Sequence, residues 1–219
     1  MTVCTYCLIN EATTDDHVIP EGLFDVAPPE GYIYAPACEP CNNGYSRDEE
    51  YLLMVLLAEG SISSPAANRV LDRVGRDHRS GRRKRLGLAR TLLDNVGEVS
   101  VSSPAGVYLG DAQVVALDVT RVNRVLRKIT RGLFLHVFGR PLRREAEVSV
   151  EISPSAETLG EPDFRSARAE APFRLGGVFE GSVWTPRADS DESSWVMRFY
   201  GTIISLARTR DARAQETGA

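Results

Sequence analysis

The sequence predicts an α+β protein, with a small cysteine-bound segment at the N-terminus followed by helices and an antiparallel sheet. Three observations carry this expectation. All four cysteines fall near the N-terminus, as two C-x2-C pairs. Helical periodicity with end signals recurs through the middle of the chain, and after Glu147 it gives way to short alternating apolar runs between turn residues. The 219 residues allow one large domain or a small module joined to a larger one. A 42% hydrophobic share is enough for an ordinary core.

Residues 1–60 form the expected module. Within it "SRDEEYLLMVLLAEG" carries Ser46 and Glu49 as a capping box, which predicts a helix from Arg47 to Glu59. Glu49 and Glu50 lie on this helix, where an approach to the metal is weighed against capping and a solvated face, and the second reading is preferred. An accessory body is expected over 61–208. Ser64 and Pro65 supply N-cap and N1 signals for a second helix. "GRDHRSGRRKRLG" reads as a basic loop or helix end, and a short helix is expected over 86–95. "EVSVSSPAGVYLGDAQVVALDV" reads as a β-hairpin. Val122, Val125, Leu126, Ile129, Leu133 and Val137 make one helical stripe, which Gly139 and Pro141 end. "VSVEI", "FRLGGVFEG", "WVMRFYG" and "TIISLA" read as strands, with Trp184 and Trp195 in the core. The tail 209–219 is polar and expected to be disordered.

Cys4, Cys7, Cys38 and Cys41 have the spacing of two metal knuckles. Four thiolates close a tetrahedral zinc site and leave no position for substrate, so a structural Zn2+ is expected. About thirty residues separate the pairs, more than a plain zinc ribbon needs, and the insert carries Asp16 and His17. Neighbours on a strand point to opposite sides, so one of the two can bind a metal while the other faces a water. Asn42 follows Cys41 and is expected just before the helix. A carboxylate and an amide carbonyl make a sparse oxygen site that suits Mg2+ or Mn2+ together with phosphate oxygens. A neutral His17 would then act as general base on a water.

"CTYC", "DDHVIP" and "CEPCN" together resemble the ββα-metal, or HNH, endonucleases, and most closely their zinc-stapled subgroup, which includes the phage resolvase endonuclease VII. The resemblance covers the first 50–60 residues. It implies a ββα-metal fold, a divalent-metal nuclease and one structural zinc. It makes Asp16 the metal-binding acid, His17 the general base and Asn42 the last metal ligand. Many members carry a middle asparagine before the second cysteine pair; here "GYIYAPAC" has none. The stretch from Ala37 also resembles a subgroup of bacterial HNH proteins of unassigned role, some of them associated with phage defence.

The net charge of −4 excludes a wholly basic nucleic-acid-binding surface, so contact with DNA has to be local. Arg76, Arg79, Arg82, Arg83, Lys84 and Arg85 are the densest candidate for phosphate contact, weighed against a solvated charge run. The cations of the helix after Thr120, among them Arg121, Arg124, Arg127, Lys128 and Arg131, are expected on its polar side. DNA is the expected substrate, with RNA open, and a homodimer or protein partner through the body stays open. No apolar run is long enough to span a membrane, and the paired cysteines suit the cytoplasm. The competing function is a non-catalytic zinc module that binds nucleic acid or a partner protein, which has no need of Asp16, His17 and Asn42.

Overall fold

The computed structural model describes residues 2–26, 29–60, 64–79, 96–153, 173–185 and 190–211. The chain begins with a loop carrying Cys4 and Cys7, then strand β1 (Thr14–His17), a 3-10 turn (Glu21–Leu23) and strand β2 (Tyr34–Ala37). β1 and β2 pair antiparallel, with Thr14 opposite Ala37, Asp16 opposite Ala35 and His17 opposite Tyr34. No middle asparagine is needed for this register. Thr14 Oγ1 donates to the Ala37 carbonyl at 3.0 Å and ties the strands side chain to backbone.

Helix α1 (Glu39–Gly60) starts eight residues earlier than the capping box predicts. The Cys41 and Asn42 amides both donate to the Cys38 carbonyl at 3.0 Å, so the helix opens directly on the second cysteine pair. Pro40 suits the first turn, where its missing N–H costs nothing. Ser46 is interior to the helix and its hydroxyl donates to the Asn43 carbonyl. Asn42 therefore lies on the first turn of α1 and not ahead of it. The run from Tyr51 to Leu57 is buried on nearly every side, because α1 is the central helix of the molecule.

Helix α2 (Pro65–Arg79) begins where expected, with Ser64 Oγ accepting from the Ala67 amide at 3.4 Å. Strands β3 (Val96–Ser102) and β4 (Tyr108–Val115) form the expected hairpin, exposed along all of β3. Helix α3 (Val119–Phe138) is capped by the Asp118 side chain and ends at Gly139, whose φ of 66° is left-handed. Its apolar stripe is buried as expected from Val122 to Leu133, and Val137 is half-buried. Strands β5 (Glu147–Ser153), β6 (Phe173–Leu175), β7 (Phe179–Trp184), β8 (Ser193–Phe199) and β9 (Ile203–Arg210) make an antiparallel sheet of order β5-β9-β8-β7-β6. Trp195 is fully buried in it, and Trp184 is half-buried. Thr209 and Arg210 belong to β9, so the ordered body passes the expected boundary at 208. Residues 80–95, which include Arg82, Arg83, Lys84, Arg85 and the expected short helix, lie outside the described residues, as do 212–219.

Buried residues of the cysteine segment, the three helices and the five-stranded sheet belong to one cluster, from Cys4 to Ala207. Polar ties cross it. Tyr200 at the β8–β9 turn donates its hydroxyl to the Leu23 carbonyl at 2.7 Å, and Arg73 of α2 donates to the Gly22 carbonyl at 2.7 Å. The close approach of α3 to the end of β1 depends on Gly132: a Cβ there would lie 2.6 Å from Val18 Cγ2.

Arg124 and Arg127 are exposed on α3 as expected and Arg121 and Arg131 are half-buried, while Lys128 is buried, which corrects its expected place on a polar side; all five also bond within the fold. Arg121 and Arg124 both bond Asp48 of α1, at 2.7 and 2.5 Å. Burial alone would raise the Asp48 carboxyl, but these two guanidinium groups outweigh it and hold its pKa below the ordinary value. Arg127 donates to the Val148 carbonyl, and Arg131 to the carbonyls of Leu142, Arg143 and Ala146. Lys128 is buried with a relative exposure of 1%. Among the described residues no helix is long and apolar enough to cross a membrane.

Candidate functional site

The four cysteine sulfurs converge. Their Sγ atoms lie within 4.8 Å of one another, and none forms a disulfide. The Cys7 and Cys38 sulfurs are 3.9 Å apart. Tetrahedral zinc with Zn–S bonds of about 2.3 Å sets sulfurs roughly 3.8 Å apart, so this donor set fits a metal ion such as zinc. The first pair is a tight turn in which the Leu8 amide donates to the Cys4 carbonyl at 3.0 Å, with Leu8 left-handed at φ 53°. The second pair sits at the start of α1, where the helix dipole favours thiolate. Burial opposes ionisation of Cys38, but hydrogen bonds from Asn10 and from the Cys41 backbone and thiol outweigh it, and its pKa falls to about 6. Cys41 is pushed up by burial and by the neighbouring Cys38 and Cys4 sulfurs. Four thiolates this close need a cation to be charged together.

β1 presents Asp16 and His17 on opposite sides. Asp16 is buried against α1 and α3, at 5% exposure, and exposed Asp15 is the less suited of the two acids. Tyr6 Oη donates to Asp16 Oδ2 at 2.6 Å, and Lys128 Nζ meets the same oxygen at 2.6 Å. Lys128 Nζ also bonds Glu49 Oε1 at 2.5 Å and the His17 carbonyl at 2.9 Å. The ammonium is thereby held by three partners, through hydrogen bonds to Glu49 and the His17 carbonyl and an ion pair to Asp16. The Tyr6 and Tyr45 rings flank the ammonium at 5.7 Å. Glu49 is thus neither a cap nor a solvated residue. Burial pushes its carboxyl up, the Lys128 ammonium lowers it, Asp16 raises it and His17 lowers it. Two carboxylates share one ammonium, which leaves a formal charge of −1 when both are ionised.

The His17 imidazole lies between Tyr34 and Tyr32, with ring centroids 5.0 and 5.2 Å away. Tyr32 is itself anchored by its hydroxyl on the Ile19 carbonyl. Asn42 Nδ2 donates to Thr14 Oγ1 at 3.1 Å. The Thr14 hydroxyl proton is already committed to Ala37, so Thr14 must accept from Asn42. This fixes the amide: the NH2 faces Thr14 and the carbonyl oxygen is turned away from it. Asn42 and Asp16 share no hydrogen bond with each other, but Thr14 and Asp16 stand on the same side of β1.

The sulfur cluster, Asp16, His17 and Asn42 therefore belong to one hairpin-and-helix unit. Of the basic run, Arg76 is exposed on α2 and Arg79 ends that helix. Tyr6 and Lys128 are members of the site that the spacing of residues did not single out, and Glu49, weighed but set aside in favour of a cap or a solvated face, joins them. No protein-family model, curated protein or solved structure matches the chain.

Proposed function

We propose that the chain is a zinc-stapled, metal-dependent endonuclease of the ββα-metal (HNH) type that hydrolyses phosphodiester bonds, with DNA as its substrate. One observation carries this reading. A hairpin and helix wrap a four-sulfur cluster, with Asp16 and His17 on the first strand and the fixed Asn42 amide on the first helical turn. The four cysteines would hold structural zinc, and Asp16 and Asn42 a Mg2+ or Mn2+ ion. The hydrogen bond and the ion pair described for Asp16 both fall on Oδ2, and the Asn42 carbonyl oxygen faces away from Thr14, so each has an oxygen to offer. The residual negative charge of the carboxylate pair favours a cation. Bound there, the ion would neutralise phosphate charge and stabilise the leaving 3′ oxygen. His17, held by two tyrosine rings, takes the proton of the attacking water.

The test is relaxation of supercoiled plasmid by zinc-loaded protein with and without added Mg2+ or Mn2+. His17→Ala keeps the fold and the DNA affinity and loses about 10²–10⁴ in single-turnover rate. Undiminished cleavage by that variant sinks the role of His17. Phosphate contact would fall to Arg76, Arg79 and the run Arg82 to Arg85. Changing those last four to Ser flattens the log–log salt dependence of binding by about two to four units, and an unchanged slope removes the run from the interface.

A second reading, a non-catalytic zinc module that binds nucleic acid or a protein, is favoured by one fact: an ammonium already sits on the Asp16 carboxylate. Absence of cleavage with either metal, alongside retained DNA binding, would decide for it.

A further inference from the structure

We infer that Tyr6 and Lys128 are positioning residues, which clamp one oxygen of Asp16 so that the other is held ready for a divalent cation. The inference rests on the endonuclease reading above. Both residues contact Oδ2, Tyr6 by a hydrogen bond and Lys128 by an ion pair. A carboxylate bonded at one oxygen from two directions loses its freedom to rotate, so its second oxygen keeps one heading.

The two clamps come from different parts of the molecule. Tyr6 lies inside the first cysteine pair, between Cys4 and Cys7. Ordering of that pair around a metal therefore orders the hydroxyl that holds Asp16. Lys128 comes from α3, and Gly132, one turn further along, lets that helix come close enough to β1. Lys128 cannot itself meet a phosphate, because it is buried and its ammonium is held by Asp16, Glu49 and the His17 carbonyl. Glu49 in turn keeps the ammonium in place. The cysteine cluster is thus more than a staple: it is one jaw of the grip on the catalytic acid.

The decisive variant is Tyr6→Phe, which removes one oxygen and keeps the ring packed edge-on against Tyr45 at 5.7 Å. Mn2+ binding to zinc-loaded protein is followed by electron paramagnetic resonance, alongside single-turnover cleavage, DNA affinity and thermal melting. Partners that orient a metal ligand are worth about 10–100-fold in metal affinity or activity. Tyr6→Phe is expected to weaken Mn2+ binding and slow cleavage by that factor, while zinc content and DNA affinity stay at wild-type levels. A general structural loss would move zinc content and DNA affinity too. Lys128→Met, measured on folded protein, is expected to act in the same direction. Wild-type Mn2+ binding and cleavage in Tyr6→Phe would overturn the positioning role alone. A wild-type protein that neither binds Mn2+ nor cleaves would overturn the endonuclease reading, and this inference with it.

Discussion

Gly132→Ala is expected to destabilise the protein, although alanine is the better helix former. Propensity alone favours the change by about 1 kcal/mol in a helix interior. The neighbours of the new methyl decide otherwise. It would sit 2.6 and 2.7 Å from the two Val18 Cγ atoms and 3.1 Å from Val18 Cβ. Carbon atoms pack at about 3.5–4.0 Å, so the overlap approaches 1 Å. Rotating Val18 moves its methyl groups but not its Cβ, so α3 or β1 must shift. Overpacking of this kind costs roughly 1–3 kcal/mol, and here it falls at the upper end because backbone must move. The net loss is then about 1–2 kcal/mol, a fall in Tm of roughly 2–8 °C at about 2–4 °C per kcal/mol for a chain of this size. Urea and thermal unfolding of the single variants and of Gly132→Ala with Val18→Ala complete a double-mutant cycle. The new methyl fills part of the space Val18 vacates, so the pair should cost at least about 1 kcal/mol less than the sum of the singles. An alanine variant as stable as wild type, or strict additivity in the cycle, would refute the proposed contact.

Purified protein should carry about one zinc per chain, measured by atomic emission, and Cys38→Ser should lose it and loosen the segment before α1, seen as faster amide exchange there. Asp48→Asn should cost about 1–3 kcal/mol at neutral pH, since it strips the charged partner from Arg121 and Arg124. Its pKa is depressed by folding, so this contribution is present above the unfolded carboxylate pKa of about 3.9 and is lost as pH falls through the lower folded value. Unfolding titrations should therefore show the gap between wild type and variant steady down to about pH 5 and closing below about pH 4; a gap independent of pH would count against the ion pairs.

Much of the fold was legible because its signals are local. Ser64 and Pro65 start α2, Gly139 ends α3, and the α3 stripe faces the core as its spacing requires. The cysteines were equally legible, since spacing alone brings two sulfurs of a pair together. The start of α1 was misjudged because Ser46 and Glu49 match a capping box by sequence. Each answers to something else: Ser46 to its own helix, Glu49 to a lysine on another helix. Pro40 was the local signal for the true start. Lys128 was hidden for a different reason. Its partners Asp16 and Glu49 are remote in sequence, and a lysine at the edge of a stripe ordinarily lies in solvent. Gly132 was the available hint, because a glycine inside a strong helix marks a close approach.

The ammonium shared by the acid pair lies 111 residues downstream of His17. A ribosome adding about 5–20 residues per second needs roughly 5–20 s to cover that span. Over the last 79 residues of that span, after Glu49, the nascent chain already contains its cysteine pairs, Asp16 and Glu49, but not the helix that grips them. Contacts this distant in sequence form late, because loop closure must precede the reward. Synthesis thus imposes an order on assembly in which the acidic half of the site waits for its counter-ion, and maturation of the centre is timed by the emergence of α3.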